Sequence, residues 1–220
     1  MNKVNSMIDR ITKSMGLPKK QSPFKYVKSI LAIKYYTDGN LFIERYDILN
    51  SNTDSMNNRD FRAKAMVDLC MSIECSLKSL IISLSKDDIK PVEIKKKVIK
   101  KSHHIDKLVV MAKSFAKNRF ALPDFPQNML NDIVKLGVGY RYSLDVWDLY
   151  TKERKVKHDS LISSTIDNYV WMNDLRNLAV NWNNIADNAH ERFLKKHHIA
   201  VGGGNGKKID AAMDEYINSK

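Results

Sequence analysis

The sequence predicts an all-α protein, an antiparallel helical bundle, and two long stretches carry that prediction. From Ile166 to Leu194 no Pro or Gly interrupts the chain, and Trp171, Leu175, Leu178, Trp182, Ile185, Ala189 and Phe193 recur at alternating steps of four and three. That is the spacing of one buried helical face. From Asp60 to Leu84, Met66, Cys70, Ile73, Leu77, Leu80 and Leu84 keep the same period, which makes this the second core helix.

The remaining elements follow in chain order. A short amphipathic helix spans about Val4 to Met15 and stops at Gly16-Leu17-Pro18. Residues 24 to 49 admit two readings. Thr37-Asp38-Gly39-Asn40 separates Ile30 to Tyr36 from Leu41 to Tyr46, and Asp-Gly between such runs is a cue for a small N-terminal hairpin; extra helix is the other reading and the one preferred by a narrow margin. The polar stretch Asn50 to Asn58 reads as a loop. Pro91 opens a Lys-rich helix to about Lys101, another runs from about His104 to Lys117, and Pro123 and Pro126 mark a connector. Met129 to Leu136 is a short helix, and Gly137 and Gly139 allow a turn before Arg141 to Tyr150. Lys152 to Lys157 forms a basic linker, and Gly202-Gly203-Gly204-Asn205-Gly206 is a hinge to a terminal helix, Lys207 to Asn218. The expected organisation is an N-terminal helical extension over 1–59, a helical core over 60–194, and a hinge with a short helix over 195–220.

Composition bounds the function. At 220 residues the chain can bury roughly 70% of the surface its unfolded form exposes, enough for one core with appendages. Its 43% hydrophobic and 28% charged content is that of a soluble globular protein. No apolar run is long enough to span a bilayer, and Met1-Asn2-Lys3-Val4-Asn5 lacks the apolar core of a signal peptide, so a cytoplasmic protein without membrane contact is expected. Cys70 and Cys75 lie about 140° apart on one helix, a poor placement for a mutual disulfide, so buried free thiols are expected. The balance of 37 basic against 25 acidic residues gives a net charge of +12 and favours a polyanionic partner such as RNA. Lys95-Lys96-Lys97 with Lys100-Lys101, then Lys152, Arg154, Lys155 and Lys157, and Lys195-Lys196 concentrate that charge. A Lys run is also what a solvated helix face looks like.

The C-terminal long helix carries a second pattern. Asn173, Asn177, Asn181, Asn184 and Asn188 fall within an arc of roughly 80°, apart from the apolar face. Asn is a mediocre helix former because its amide competes for the backbone. Contact of that stripe with a partner helix or a nucleotide would offset the local cost; a solvated face is the alternative.

Within this helix, Leu175-Arg176-Asn177-Leu178-Ala179-Val180-Asn181 resembles the Arg-Asn-x-x-x-His signature of HEPN domains, with Asn181 at the His position. Ile73-Glu74-Cys75-Ser76-Leu77-Lys78-Ser79-Leu80, the His104 to Leu108 element, and Gly139-Tyr140-Arg141-Tyr142 accompany it in order, so the resemblance covers about residues 60 to 194. It implies a HEPN-like bundle, with helix rather than hairpin at 24 to 49. It also implies a metal-independent endoribonuclease toxin in host defence or a toxin–antitoxin pair, with no cofactor, RNA as substrate, and a neutralising antitoxin or regulatory protein as a further partner. Arg176 and Asn181 lie about 140° apart around the helix, so one helix alone serves a compact site poorly. Two such helices about a two-fold axis would bring Arg176 of one chain beside position 181 of the other, which agrees with the composite homodimer site that the resemblance implies.

The chemistry gives each residue a role. Metal-free RNA cleavage needs a base for the 2′-hydroxyl proton and a fixed positive charge on the phosphoryl oxygens. Arg176 suits the second role, because its planar guanidinium stays charged and pairs with phosphate through two donors; Asn177 would orient the phosphate. The base is ordinarily His. An Asn amide cannot take the proton, and losing a general base costs about 10²- to 10⁴-fold in rate. Asn181 therefore fits a non-catalytic family member, a deliberately replaced catalytic residue or a chance match, and the rival function is a non-catalytic RNA- or protein-binding helical module. Lys100, Lys101 and Arg141 are the candidate RNA contacts, Arg141 flanked by Tyr140 and Tyr142, which can stack on a base.

Other signals are weaker. Val201 stands where a phosphate loop ahead of Lys207-Lys208 needs its first Gly. His103-His104 and His197-His198 diverge on a helix, and no Cys or carboxylate cluster completes a metal site. His190 lies beyond the motif's spacing and reads as a surface or interface residue, with a displaced base as the alternative. Glu74 and Lys78 stand in the favourable order for an intrahelical ion pair.

Overall fold

The computed structural model describes residues 23–117, 120–136, 151, 161–197 and 199. It is all-helical, with no strand among the described residues. The expected helices at Val4–Met15, Arg141–Tyr150 and Lys207–Asn218, the 152–157 linker and the glycine hinge lie outside these residues.

Helix α1, Pro23–Ser51, runs without interruption through Asp38-Gly39, so the hairpin reading is incorrect. The reason is tertiary. Gly39 is buried where helices cross, and a Cβ there would sit 2.9 Å from Asn183 Oδ1, 3.2 Å from Ser76 Oγ and 3.3 Å from the Ser72 carbonyl. Glycine admits a close helix crossing here, not a turn. The expected loop at Asn50–Asn58 is also corrected, because α1 continues to Ser51 and a short helix α2, Thr53–Asn57, follows.

Helix α3, Arg59–Leu84, begins at Asn58, whose side chain accepts a hydrogen bond from the Asp60 amide at 2.8 Å; this satisfies one of the unpaired donors of the first turn. It ends at Ser85, whose hydroxyl donates to the Ile82 carbonyl at 2.7 Å. Helix α4, Pro91–Ile99, starts on a proline, which lacks the amide hydrogen that the first turn cannot use. Helices α5, Ile105–Ala116, α6, Gln127–Leu136, and α7, Leu161–Ser164, follow. Helix α8, Tyr169–His197, is capped by Asn168, whose side-chain oxygen accepts from Val170 N at 3.0 Å and Trp171 N at 3.3 Å. Its last turn carries Lys195 and Lys196, cations that complement the negative end of the helix dipole.

Helices α1, α3 and α8 pack mutually, with α5 on a further face of α3 and α6 against α5. Antiparallel α1 and α3 meet at Ala32 with Ser79 and at Arg45 with Asp68. Antiparallel α1 and α8 meet at Ser29 with His190 and at Asp47 with Arg176. All the periodic apolar residues of α8 are buried except Ile185, which packs against the core half-buried. Because α3 is covered on nearly every side, many of its polar residues are buried as well, and most find partners: Ser76 with Asn183, Ser79 with the Ala32 carbonyl, Asp68 with Arg45, and Glu74 with Lys78, while the Ser72 and Ser83 hydroxyls have none among the described residues. Buried polar groups without partners would be costly. Cys70 and Cys75 are free and buried, and burial pushes both thiols up to about 12. No described helix is long and apolar enough to cross a membrane.

Candidate functional site

The apolar arc of α8 faces α1 and α3, which turns the opposite arc outward. Asn173, Asn177, Asn181, Asn184 and Asn188 are all exposed, and within the stripe Asn188 donates back to the Asn184 carbonyl at 2.9 Å. Tyr169 and Val170 extend this strip, 71% and 66% exposed. From Tyr169 to Asn188 it runs about 29 Å at the helical rise. It contains polar amides and two uncovered apolar side chains, with no element of the described chain over them.

Arg176 stands at the rim of the strip. Its Nε donates to Asp47 Oδ1 at 2.6 Å and its Nη2 to Asp47 Oδ2 at 2.7 Å, a paired contact that fixes the guanidinium plane. The hydrogen bond to Asp47 holds the group even more firmly protonated than usual. Side-chain exposures of 33% and 41% for Arg176 and Asp47 leave the pair within reach of solvent. An ion pair at such exposure contributes at most about 1 kcal/mol, so a phosphate can exchange for the carboxylate at small cost. The arrangement therefore presents a pre-ordered guanidinium whose charge is offset by Asp47.

Beside Asp47 in sequence, Tyr46 is 2% exposed; burial first, and then Asp47, raises its phenol above the ordinary value, while Arg176 opposes the shift. Tyr46, Arg62, Asp167 and Tyr169 line a groove of about 510 Å³. Asp167 accepts from Arg59 at 2.7 Å and from Arg62 at 2.6 Å. Burial alone would raise its carboxyl, but the two guanidinium groups hold it below the usual range. Two arginines and an aspartate thus staple the start of α3 to the turn before α8.

The candidate residues do not all converge. Arg176, Asn177 and Asn181 share the α8 surface, whereas Lys100 and Lys101 lie in the α4–α5 turn, and among the described residues no hydrogen bond or ion pair connects the two sets. Lys100 is exposed and Lys101 half-buried. Arg141, with Tyr140 and Tyr142, lies outside the described residues. Glu74 and Lys78 form the expected intrahelical pair at 2.6 Å. His190 is corrected: it is 5% exposed and its Nε2 lies 3.2 Å from Ser29 Oγ, because its place on α8 falls on the buried arc. Burial lowers its pKa, which keeps it a neutral core residue.

Sequence reasoning missed Asp47 and Asn183. No local spacing relates residue 47 to residue 176. Asn183 could have been separated from the other asparagines, because it follows Trp182 onto the inward side of the helix, where it is 3% exposed and accepts from Ser76 at 3.1 Å. No family model, curated protein or solved structure matches the chain, so the HEPN resemblance stands on the residues already named.

Proposed function

We propose that the chain is a HEPN-like, RNA-directed module, an endoribonuclease toxin of host defence or toxin–antitoxin type whose metal-independent cleavage is attenuated because Asn181 occupies the general-base position. The observation that carries this reading is the masked Arg176: a paired guanidinium contact on a half-exposed carboxylate, at the rim of an uncovered polar strip that also holds Asn177 and Asn181. A net charge of +12 supports a polyanionic ligand. In the proposed assembly two copies pack strip to strip, so that Arg176 of one protomer lies beside position 181 of its partner. RNA phosphate displaces Asp47, Arg176 stabilises the phosphoryl oxygens, and Asn177 orients them.

The second reading, a non-catalytic RNA- or protein-binding module, is favoured by the exposure of Asn181, an amide with no acid–base capacity at the position that needs it. One comparison decides between them. Asn181→His on the exposed face should preserve folding, form dimers by solution mass, and cut RNA at least about 10²-fold faster than the parent. A dimeric Asn181→His protein that leaves RNA intact would remove the ribonuclease reading and leave the binding module.

A further inference from the structure

On the other groove of α1, away from Arg176, the α4–α5 corner holds a second group of ionisable side chains. Glu74 is 2% exposed. Its Oε1 accepts from Lys78 Nζ at 2.6 Å, and Lys78 also donates to Ser102 Oγ at 2.9 Å and lies 5.4 Å over the Tyr35 ring. Its Oε2 receives two groups from one residue: the His103 amide at 3.0 Å and His103 Nδ1 at 3.2 Å. The carboxylate therefore accepts from the backbone of His103 and lies beside its ring, while the His103 side chain remains 48% exposed.

His103 also has φ of 65°, in the left-handed region that costs a residue with a Cβ and that glycine adopts freely. A bare turn would be better served by glycine. The imidazole at this position instead stands with Nδ1 3.2 Å from the Glu74 carboxylate, which leaves Nε2 as the ring nitrogen turned away from the carboxylate and able to accept a proton in the neutral ring. Buried carboxylates orient catalytic histidines in this way. Around the corner, residues 93 to 107 carry Lys95, Lys96, Lys97, Lys100, Lys101 and Lys107 against Glu93 and Asp106, a surface suited to phosphates.

We propose that His103, oriented by Glu74, is the proton-accepting residue of a phosphodiester-cleaving site at this lysine-rich corner. RNA as its substrate class rests on the functional reading above; the site itself is separate from the α8 strip. Nε2 takes the proton of a ribose 2′-hydroxyl, the 2′-oxygen bonds to phosphorus, and the bond from phosphorus to the 5′-oxygen breaks. The departing 5′-oxygen takes a proton from water, and the imidazolium returns its own to water. The products are a 2′,3′-cyclic phosphate and a 5′-hydroxyl, with nothing else consumed. Lys100 supplies charge to the phosphate, and Glu74 acts as a positioning residue. Whatever cleavage the chain retains with Asn181 in place is then carried by His103.

The test uses the full chain with a chelator present. Binding is read on 2′-O-methyl RNA, which cannot be cut, and cleavage on unmodified single-stranded RNA analysed for cyclic phosphate ends. The decisive variant is His103→Gly, which keeps the amide contact to Glu74 and suits the left-handed backbone, so that a purely structural role predicts no loss of activity. The expected result is binding within about twofold of the parent and a kcat at least about 100-fold lower. Glu74→Gln should lower kcat by roughly 10- to 100-fold with KM nearly unchanged, an orienting effect of the size found for carboxylates behind histidine ligands. Parent protein that binds RNA and yields no cyclic phosphate ends overturns this site alone. Cleavage unaffected by His103→Gly but removed by Arg176→Gln also overturns it and assigns the activity to the α8 strip. Failure of the parent to bind 2′-O-methyl RNA overturns the RNA reading on which both rest.

Discussion

Replacing Gly39 by alanine tests the architecture at its tightest point. In an ordinary helix interior the change stabilises by roughly 0.5–1 kcal/mol, because alanine loses less backbone entropy on folding. Here the new Cβ would lie 2.9 Å from Asn183 Oδ1 and 3.3 Å from the Ser72 carbonyl. The carbonyl belongs to the backbone of a buried helix, and Asn183 is buried and held by Ser76, so neither yields freely. Overpacking of this kind costs about 1–3 kcal/mol. The clash outweighs the propensity gain, leaving a net loss of about 1 kcal/mol, or roughly 2–4 °C in melting temperature for a chain of this size. Thermal and urea unfolding followed by circular dichroism measure it. In an Asn183→Ala background the nearest clashing atom is gone, and Gly39→Ala should become neutral or stabilising, a coupling of about 1 kcal/mol. A more stable Gly39→Ala in the parent would refute the close-crossing argument.

Three further outcomes follow from the same contacts. Asp47→Asn removes the carboxylate that masks Arg176 and should raise RNA affinity several-fold at low salt, since a charge pair at about 4 Å in water is worth about 1 kcal/mol; unchanged affinity across a salt titration would separate Arg176 from RNA binding. Lys28 is 1% exposed and donates to the Lys86 carbonyl at 2.6 Å, and burial lowers its pKa from 10.5 to about 8. Its folded form therefore binds fewer protons than the unfolded chain between pH 8 and 10.5, so its penalty is full below pH 8 and is relieved as pH rises. The stability of Lys28→Met relative to the parent should accordingly fall by up to about 3 kcal/mol from pH 7 to above pH 10, and a pH-independent difference would show that Lys28 stays charged without cost. Cys70 and Cys75, buried and pushed up to about 12, should resist a thiol reagent in the native protein and react together on denaturation; fast native labelling of either contradicts the packing of α3.

Much of the fold was legible because long helices write a repeated signal. The apolar period from Met66 to Leu84 and from Trp171 to Phe193 needs no knowledge of partners, and helices α3 and α8 stand within a few residues of where that period puts them. Short-range cues were less secure. Asp38-Gly39 has the composition of a turn, yet the same absence of a Cβ serves a helix crossing, and only the neighbouring helix distinguishes the two uses. The polar run after Asn50 carries no apolar period, so the short helix Thr53–Asn57 left no trace in it. His190 has the residue type of a surface group, but its position on the inward arc of α8 decided its place.

The part of the site that the sequence concealed is governed by register. Along α1 the partners of α8 are Ser29, Gly39 and Asp47, and they meet His190, Asn183 and Arg176. Steps of ten and eight residues on α1 stand against steps of seven and seven on α8, so the two rods run antiparallel, with side-chain reach making up the difference in rise. Gly39 permits the close approach at the centre, and Asp47 then falls opposite Arg176, about 12 Å farther along α1. The close approach at Gly39 and the Asp47–Arg176 pair thus belong to one α1–α8 seam. A bulkier side chain at 39 should loosen the Asp47–Arg176 contact along with the crossing, so Gly39→Val should bind RNA more tightly than the parent while unfolding more easily. Loss of stability with unchanged RNA affinity would show that the two ends of the α1–α8 seam are independent.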